Sequence, residues 1–236
     1  LFEQVSLPLH LRRRGSALVH ATNCFLPLLR SCPGVVTIQD LAFESWPSDF
    51  VPRTRWKYRG FTRAAARSAQ LIICPSEFTR DDLATRYGVD PGKVRVIPLA
   101  PALPLTDGLP PSGPYILAVG DLRQKKNLQA LVSAFAGLHR REQIPHRLVL
   151  AGVDSGEGPS LRALAGSAAV ELTGYVSDAE LDALIRGADV LVHPSLYEGF
   201  GLVVLEAMAR GVPVIAARAT ALPQTGGEAA LYFDPD

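Results

Sequence analysis

The chain has 236 residues, of which 47% are hydrophobic and 20% are charged, so it can bury a core and is not intrinsically disordered. Lys and Arg total 24 against 23 Asp and Glu, a balance that excludes a protein whose main task is to coat nucleic acid. No apolar run approaches the ~18 residues of a membrane span. Three cysteines without C-x-x-C spacing indicate neither a disulfide framework nor a zinc site, as is usual in a reducing cytoplasm.

The first half of the chain alternates short apolar runs with helix-like segments from Val35 onward. The pattern predicts a helix at Arg53–Ala69 and a second helix that begins at its N-cap residue, Ser76, and ends before Gly88. The apolar runs predict strands of the buried type at Val35–Ile38, Leu71–Cys74 and Val94–Ile97.

A proline-rich segment interrupts this alternation. Residues 98–114 contain six prolines and two glycines, and proline can neither continue a helix nor donate to a central strand. We therefore predict an interdomain linker at residues 99–114, between one domain at residues 1–98 and another at residues 115–236.

The alternation resumes after the proline-rich segment. The predicted helices are Asn127–Leu138, Leu161–Ala165, Ser177–Arg186 and Leu202–Arg210. The predicted strands are Tyr115–Val119, Arg147–Ala151, Val170–Leu172, Val190–His193 and Val212–Ala216. Because continuous Val, Ile and Leu strands between helices are typical of a parallel sheet covered on both faces, the sequence predicts an α/β protein with two Rossmann-like domains.

The segment from His193 to Glu206 has the pattern of a phosphate-binding turn. A strand ends, a loop with Gly199 and Gly201 follows, and a helix begins whose first N–H groups can bind an anion. Glu198 in the loop and Glu206 in the helix could hold hydroxyl groups on either side of a diphosphate. The alternative, of equal weight on pattern alone, is a solvated glutamate beside a packing turn.

The segment Gly120–Asn127 also follows a strand, at the edge where open α/β sheets bind ligands. Its cations, Arg123, Lys125 and Lys126, could bind a diphosphate. Positive charge near a helix N-terminus opposes the helix dipole, so this placement costs a little free energy unless an anion is bound. The alternative is a solvated helix start. Elsewhere, Arg55, Arg59, Arg63 and Arg67 recur every four residues, which fits either docking on anionic lipid or, more commonly, a solvated helix face.

Several segments resemble motifs of the retaining glycosyltransferases of family 4, in particular the O-antigen-type mannosyltransferases. The glutamates at 198 and 206 resemble the family's E-x7-E signature, which Gly211-Val-Pro-Val-Ile-Ala continues. The other matching segments are Val36–Leu41, Ile73–Thr79, Tyr115–Asn127 and Leu172–Leu181.

This resemblance implies a GT-B fold, in which two Rossmann-like domains with parallel sheets face each other across a cleft. The acceptor would bind to the first domain and a nucleotide diphosphate sugar to the second. Members of the family keep the anomeric configuration and usually need no metal, so no cofactor is expected.

The resemblance also assigns roles by position. Glu198, facing the donor sugar, and Lys126, neutralising the leaving diphosphate, would be the catalytic residues. Glu206 would hold the ribose hydroxyls, and Tyr175 and Val176 would lie near the base. The full donor-binding set is Gly120, Arg123, Lys125, Tyr175, Val176, Gly199, Phe200, Gly201, Leu202 and Glu206, and Gln39 and Asp40 lie on the acceptor side.

The chain departs from the family pattern in three ways. Asp121 stands where the family often has Arg, and Gln39 where it often has His. The family's first strand, its Gly-rich loop and its closing helices are also not represented. We therefore expect an incomplete chain that by itself binds nucleotide weakly and transfers no sugar.

The leading hypothesis is a retaining glycosyltransferase that moves a hexose, with mannose suggested by the resemblance, to a lipid-linked or polysaccharide acceptor. The alternative is a nucleotide-sugar-binding module without turnover, and an epimerase of the same architecture is a weaker third. The expected location is the cytoplasm, with peripheral contact to anionic membrane at its inner face, and no nucleic-acid partner is expected.

Overall fold

The structure, a computed structural model, describes residues 2–142 and 144–235. The chain divides by its internal contacts into two compact units, Leu1–Leu99 and Ala100–Asp236. Each unit contains one parallel sheet with helices, so the predicted α/β class with two parallel sheets is confirmed. Within the described ranges, no helix combines the length and the apolar character needed to cross a bilayer.

The first unit is built on a four-stranded parallel sheet of order β1-β2-β3-β4. The strands are β1 Val19–Ala21, β2 Gly34–Thr37, β3 Leu71–Cys74 and β4 Val94–Val96, and the helices are α1 Leu7–Arg14, α2 Ala42–Ser45, α3 Pro52–Ser68 and α4 Glu77–Tyr87. The predicted limits of α4 are confirmed, because Ser76 Oγ accepts from the N–H of Thr79 at 3.1 Å and Gly88 ends the helix at φ +64°. Ile38, Leu41 and Ile72 are buried in the hydrophobic core of the first unit.

The second unit contains a six-stranded parallel sheet of order β10-β9-β8-β5-β6-β7. Its strands are β5 Tyr115–Val119, β6 Arg147–Ala151, β7 Val170–Gly174, β8 Val190–His193, β9 Val214–Ala217 and β10 Ala230–Phe233. Its helices are α5 Leu128–Glu142, α6 Gly158–Ala165, α7 Asp178–Gly187, α8 Leu202–Ala209 and α9 Leu222–Gly226. The capping box predicted at the start of α7 is present, with Ser177 and Glu180 bonded reciprocally.

The proline-rich segment, which we call the strap (residues 100–114), belongs to the second unit. It forms neither helix nor strand and is held by side chains of α7. The N–H of Thr106 donates to Asp182 Oδ2 at 2.9 Å, and Arg186 Nη2 donates to the carbonyls of Thr106 at 2.9 Å and Gly108 at 2.7 Å. A segment without secondary structure must satisfy its polar groups elsewhere, and here charged side chains do so.

Candidate functional site

Two loops that follow neighbouring strands carry most of the predicted donor-binding residues. Strands β5 and β8 pair in the second sheet, so the loop at residues 120–127 and the loop at residues 194–201 leave the same edge. The N–H of Leu196 donates to the carbonyl of Lys125 at 2.8 Å and ties the loops together. The sheet order thereby brings together two segments that are distant in the sequence.

Lys126 and Glu198, the two predicted catalytic residues, form an ion pair where these loops meet. Lys126 Nζ lies 2.5 Å from Glu198 Oε1, and the two side chains are only 16% and 13% exposed. Buried His193 places its Nε2 at 3.1 Å from the same carboxylate oxygen, and Ser195 Oγ lies 3.2 Å from that nitrogen. Because a carboxylate only accepts hydrogen bonds, the Nε2 atom of His193 carries the donated proton.

The charge states in this cluster follow from burial and neighbouring charge. Burial opposes ionisation of Glu198, but the charge of Lys126 and the hydrogen bond from His193 outweigh it and hold the pKa of Glu198 well below its usual range. Burial lowers the pKa of His193 despite the opposing effect of Glu198. Near neutral pH the cluster therefore combines a carboxylate, an ammonium group and a neutral imidazole.

The backbone around Glu198 is fixed by residues after β9. The N–H of Glu198 donates to Thr220 Oγ1 at 2.9 Å, and Thr220 itself adopts φ +52°. Gly201 caps α8 at φ +94°, and a Cβ there would lie 2.6 Å from Leu222 Cδ2, so only glycine fits without strain. The N–H groups of Leu202 and Val203 come before the first bond of the helix, which runs from the N–H of Val204 to the carbonyl of Gly201 at 3.0 Å, so they can bind an anion.

Three further donor-site predictions fall on the same two loops. Gly199 and Phe200 are buried, and the carbonyl of Phe200 accepts a hydrogen bond from Thr225 Oγ1. Gly120 follows β5, donates its N–H to the carbonyl of Ala151 at 2.8 Å, and lies under Lys126, whose Cε atom a Cβ at this position would meet at 3.0 Å. The glycine thus leaves room for the lysine side chain to reach Glu198.

The two other cations of the first loop have partners of their own. Arg123 Nη2 lies 3.3 Å from Asp121 Oδ2, in a pair that is partly exposed, and Lys125 Nζ lies 6.0 Å from the centre of the Tyr197 ring. Asp121 therefore pairs with a cation of its own loop, which offsets its charge.

Glu206, in α8, is hydrogen-bonded to the strap. Its Oε1 accepts from the N–H groups of Ala102 at 2.6 Å and Leu103 at 2.9 Å, and its Oε2 lies 2.7 Å from Arg210 Nη1. The side chain is only 6% exposed. The carboxylate that we predict to bind ribose is therefore already bonded within the second unit.

Tyr175 and Val176, predicted near the base, directly follow β7. Tyr175 is 79% exposed, a fraction that leaves its ring available to a ligand. Val176 is half-buried and lines a cavity of about 320 Å³ whose other wall includes Leu109 and Pro111 of the strap. The strap thus passes beside both Glu206 and the predicted base-binding loop.

The predicted acceptor residues lie at the carboxyl ends of strands in the first unit. Gln39 lines a cavity of about 360 Å³ together with His20 and Thr37, whose Nε2 and Oγ1 atoms are 2.8 Å apart. Asp40 instead accepts from the N–H of Ala42 at 2.9 Å and so supports the start of α2. Of the two residues, Gln39 is the one that borders a cavity.

The arginine stripe of α3 is largely engaged with its own unit. Arg55 Nε donates to the carbonyl of Phe43 at 3.1 Å, Arg59 Nε lies 3.1 Å from Glu44 Oε1, and Arg63 lies over the ring of Tyr87. These contacts favour a structural role for the stripe over docking on lipid.

Sequence reasoning missed His193, Ser195 and Thr220 as site residues. The pattern placed His193 at the end of a strand but could not show that its ring faces Glu198. The positive φ of Thr220 leaves no mark in the sequence, because threonine seldom adopts it. Among the described residues, no group of three His, Cys, Asp or Glu side chains could hold a metal ion.

The sequence matches the profiles of two glycosyltransferase families. The profile described as "Glycosyl transferases group 1" matches residues 106–230, and the one described as "Glycosyltransferase Family 4" matches residues 1–100. The chain belongs to the group 1 glycosyl transferases, whose profile covers more than half of it. Both sites described above thus lie in segments that are typical of these families.

Two curated relatives are mannosyltransferases by name. The chain is 31% identical to O-antigen chain mannosyltransferase B of Escherichia coli, over 97% of this chain and 66% of the relative. It is 29% identical to the MMP alpha-(1->4)-mannosyltransferase of Mycolicibacterium hassiacum, over 90% of this chain and 53% of the relative. The chain therefore spans between half and two thirds of the lengths of these relatives.

Solved structures of glycosyltransferases share the fold. Sucrose-phosphate synthase from Thermosynechococcus elongatus superposes with a TM-score of 0.71 at 26% identity, covering 98% of this chain and 63% of that one. WaaG, a glycosyltransferase involved in lipopolysaccharide biosynthesis, superposes with a TM-score of 0.69 at 19% identity, covering 93% and 65%. The GT-B fold class predicted from the sequence is confirmed.

Proposed function

We propose that this chain is the donor-binding and part of the acceptor-binding portion of a retaining glycosyltransferase. It would transfer a hexose from a nucleotide diphosphate sugar to a lipid-linked or polysaccharide acceptor. The observation that carries the proposal is the buried pair of Lys126 and Glu198, which lies where the loops after β5 and β8 meet. Withdrawing an ion pair from solvent carries a desolvation cost, and buried ionisable groups of this kind cluster at functional sites.

The geometry supplies what departure of a diphosphate requires. The charge that develops on the leaving group needs fixed cations and N–H dipoles, and Lys126 and the N-terminus of α8 provide both on one sheet edge. Glu198 would then face the sugar, kept ionised by Lys126 and oriented by His193. We therefore expect transfer to need no metal, with Lys125, Lys126 and the N-terminus of α8 stabilising the leaving group.

We propose mannose as the transferred hexose. The support is that two relatives are named as mannosyltransferases, one of them 31% identical over 97% of this chain. The acceptor would bind to the first unit, where Gln39 borders the cavity with His20 and Thr37.

A binding module without turnover is the alternative, and Asp121 is the residue that favours it. An unpaired carboxylate beside the diphosphate would weaken charge stabilisation of the leaving group. The pairing of Asp121 with Arg123 removes most of this objection, since that ion pair carries no net charge.

Transfer and binding assays on the full-length transferase that contains this chain test the proposed function. We expect a nucleotide-linked mannose to bind by calorimetry and to be transferred to a lipid-linked glycan extract, with the α configuration retained and no loss of rate in EDTA. A panel of guanosine, uridine and adenosine diphosphate sugars identifies the donor. Binding without transfer would favour the module, whereas absence of binding across the panel would contradict both functions.

We further propose that the outward face of α3 contacts anionic membrane. Val51 is 69% exposed and Trp56 is 77% exposed, and Arg53 and Lys57 lie on the surface beside them. Exposed aromatic and apolar side chains among cations are typical of peripheral contact with anionic lipid. Trp56 lies three residues after Arg53 and three before Arg59, so these side chains are neighbours on one side of α3.

Vesicle binding tests the membrane contact. We expect the protein to co-sediment with vesicles of phosphatidylglycerol and phosphatidylcholine, less at high salt, and Trp56→Ser to reduce the bound fraction at least threefold, about 0.6 kcal/mol or more. Leu105→Ser, at an exposed position of the second unit, serves as the control. Equal binding to pure phosphatidylcholine, or an unaltered Trp56→Ser variant, would contradict the proposal.

A further inference from the structure

A line of three buried charged groups connects α7, α8 and the strap. Arg210 Nε lies 2.8 Å from Asp182 Oδ1, and Arg210 Nη1 lies 2.7 Å from Glu206 Oε2. The exposed fractions of these side chains are 2% for Arg210, 0% for Asp182 and 6% for Glu206. Arg210 Nη2 also donates to the carbonyl of Leu103 at 2.8 Å. The guanidinium is thus fixed on all its edges.

The hydrogen bonds of Glu206 leave it little free capacity. A carboxylate has about four lone-pair positions. Two strap N–H groups use Oε1 and Arg210 uses part of Oε2, so two vicinal hydroxyls cannot both bind while these three bonds persist. A ligand that takes two hydrogen bonds from Glu206 must therefore displace a donor that the chain itself supplies.

The two kinds of donor on Glu206 differ in how easily they can leave. Ala102 and Pro101 are exposed, and Ala102 and Leu103 belong to a segment without helix or strand. Arg210, in contrast, is buried and held on its far side by Asp182. Displacement of the strap N–H groups exposes them to water, whereas displacement of Arg210 would leave a buried charge without its partner.

We propose that Arg210 is a positioning residue for Glu206: it holds Oε2 in place while the N–H groups of Ala102 and Leu103 give up Oε1 to the hydroxyls of a nucleotide ribose. This inference rests on the proposed function, since it requires that the second unit bind a nucleoside diphosphate. In the unliganded protein the strap N–H groups occupy the place of the ribose. Donor binding releases the part of the strap that directly follows the boundary between the two units.

Hydrogen exchange on the wild-type protein tests the displacement directly. Pro101 and Pro104 have no N–H, so within residues 101–104 the only exchanging backbone groups are those of Ala102 and Leu103. We expect guanosine or uridine diphosphate, whichever binds, to speed their exchange at least fivefold. Inorganic pyrophosphate and the 2′,3′-dideoxy nucleotide should leave it unchanged. The N–H of Thr106, bonded to Asp182, is the internal control.

The outcomes separate this inference from the function on which it rests. If calorimetry detects no nucleotide binding, the proposed function fails and the inference with it. If nucleotide binds but exchange at Ala102 and Leu103 stays constant or slows, the proposed function stands and the displacement is wrong.

A pair of matched arginine variants tests the positioning role. Arg186 also contacts Asp182, at 2.9 Å, and two strap carbonyls, but it forms no bond with Glu206. We expect Arg210→Lys to weaken nucleoside diphosphate binding at least tenfold and pyrophosphate binding by less than twofold, and Arg186→Lys to change both by less than twofold. A purely structural role for Arg210 would weaken both ligands alike, which would overturn the proposal. If Arg210→Lys does not fold, exchange in the wild type decides.

Discussion

In the full-length transferase that contains this chain, Glu198→Ala should lower the rate of sugar transfer at least tenfold, which corresponds to about 1.4 kcal/mol or more of transition-state stabilisation. Glu198 Oε1 lies 2.5 Å from Lys126 Nζ, and this ion pair lies where the loops after β5 and β8 meet. The substitution removes the group that we place against the sugar and leaves the charge of Lys126 in place. Affinity for the free nucleoside diphosphate should therefore stay equal or rise. Steady-state kinetics of the purified variant measure the transfer rate, and calorimetry measures the affinity for the nucleoside diphosphate.

A second substitution separates charge from hydrogen bonding at this position. Glu198→Gln keeps an oxygen that can accept from His193 but removes the negative charge that faces Lys126. If the charge matters, this variant should be as slow as Glu198→Ala. Glu228→Ala, at an exposed position of the same unit, controls for general damage and should retain the wild-type rate. Wild-type turnover in Glu198→Ala would remove Glu198 from the reaction.

The sheets could be predicted because their strands are continuous apolar runs. Leu71–Cys74 and Tyr115–Val119 are predicted and observed with the same limits, since both are buried between helices. Strand β9 begins at Val214 and not at the predicted Val212, because Pro213 cannot donate to the ladder. Strand β1, with three residues of mixed polarity, and helix α9, with a proline and two polar residues, carry too weak a pattern to predict.

The candidate site could be predicted as a set of residues but not as a set of partners. Two loops that follow strands, one rich in cations and one with a glutamate followed by two glycines, are enough to expect an anion site. The sequence cannot show that proline-rich residues 100–114 pack on α7 and α8, since proline predicts only the absence of regular structure. The same lack of long-range information hid the bonds between Glu206 and the strap. Asp182 and Arg210, which hold the strap, look from the sequence like ordinary charges on two helices.

Asp182→Asn should lower the free energy of unfolding by about 3–5 kcal/mol, the usual cost of breaking a buried ion pair from one side. Asp182 is fully buried and receives bonds from Thr106, Arg186 and Arg210. Without its charge, the Arg210 side chain, only 2% exposed, loses one of its two carboxylate partners, and the strap loses an anchor. Urea unfolding followed by circular dichroism measures the loss. Both tryptophans, at 46 and 56, lie in the first unit, so their fluorescence reports whether that unit is unaffected.

The pH dependence of this loss has a defined sign. Burial opposes ionisation of Asp182, but the hydrogen bonds from Thr106 and Arg210 outweigh it and lower its pKa in the folded chain. A carboxyl group with a lowered pKa stabilises the fold fully above its unfolded pKa of about 3.9 and progressively less as the pH falls toward the folded value. The difference in unfolding free energy between wild type and Asp182→Asn should therefore be constant from pH 7 to pH 5 and shrink below pH 4. Asp121→Asn, which breaks the exposed pair with Arg123, should cost at most about 1 kcal/mol at any of these pH values. An equal effect of the two substitutions would mean that burial of the Asp182 cluster contributes nothing to holding the strap.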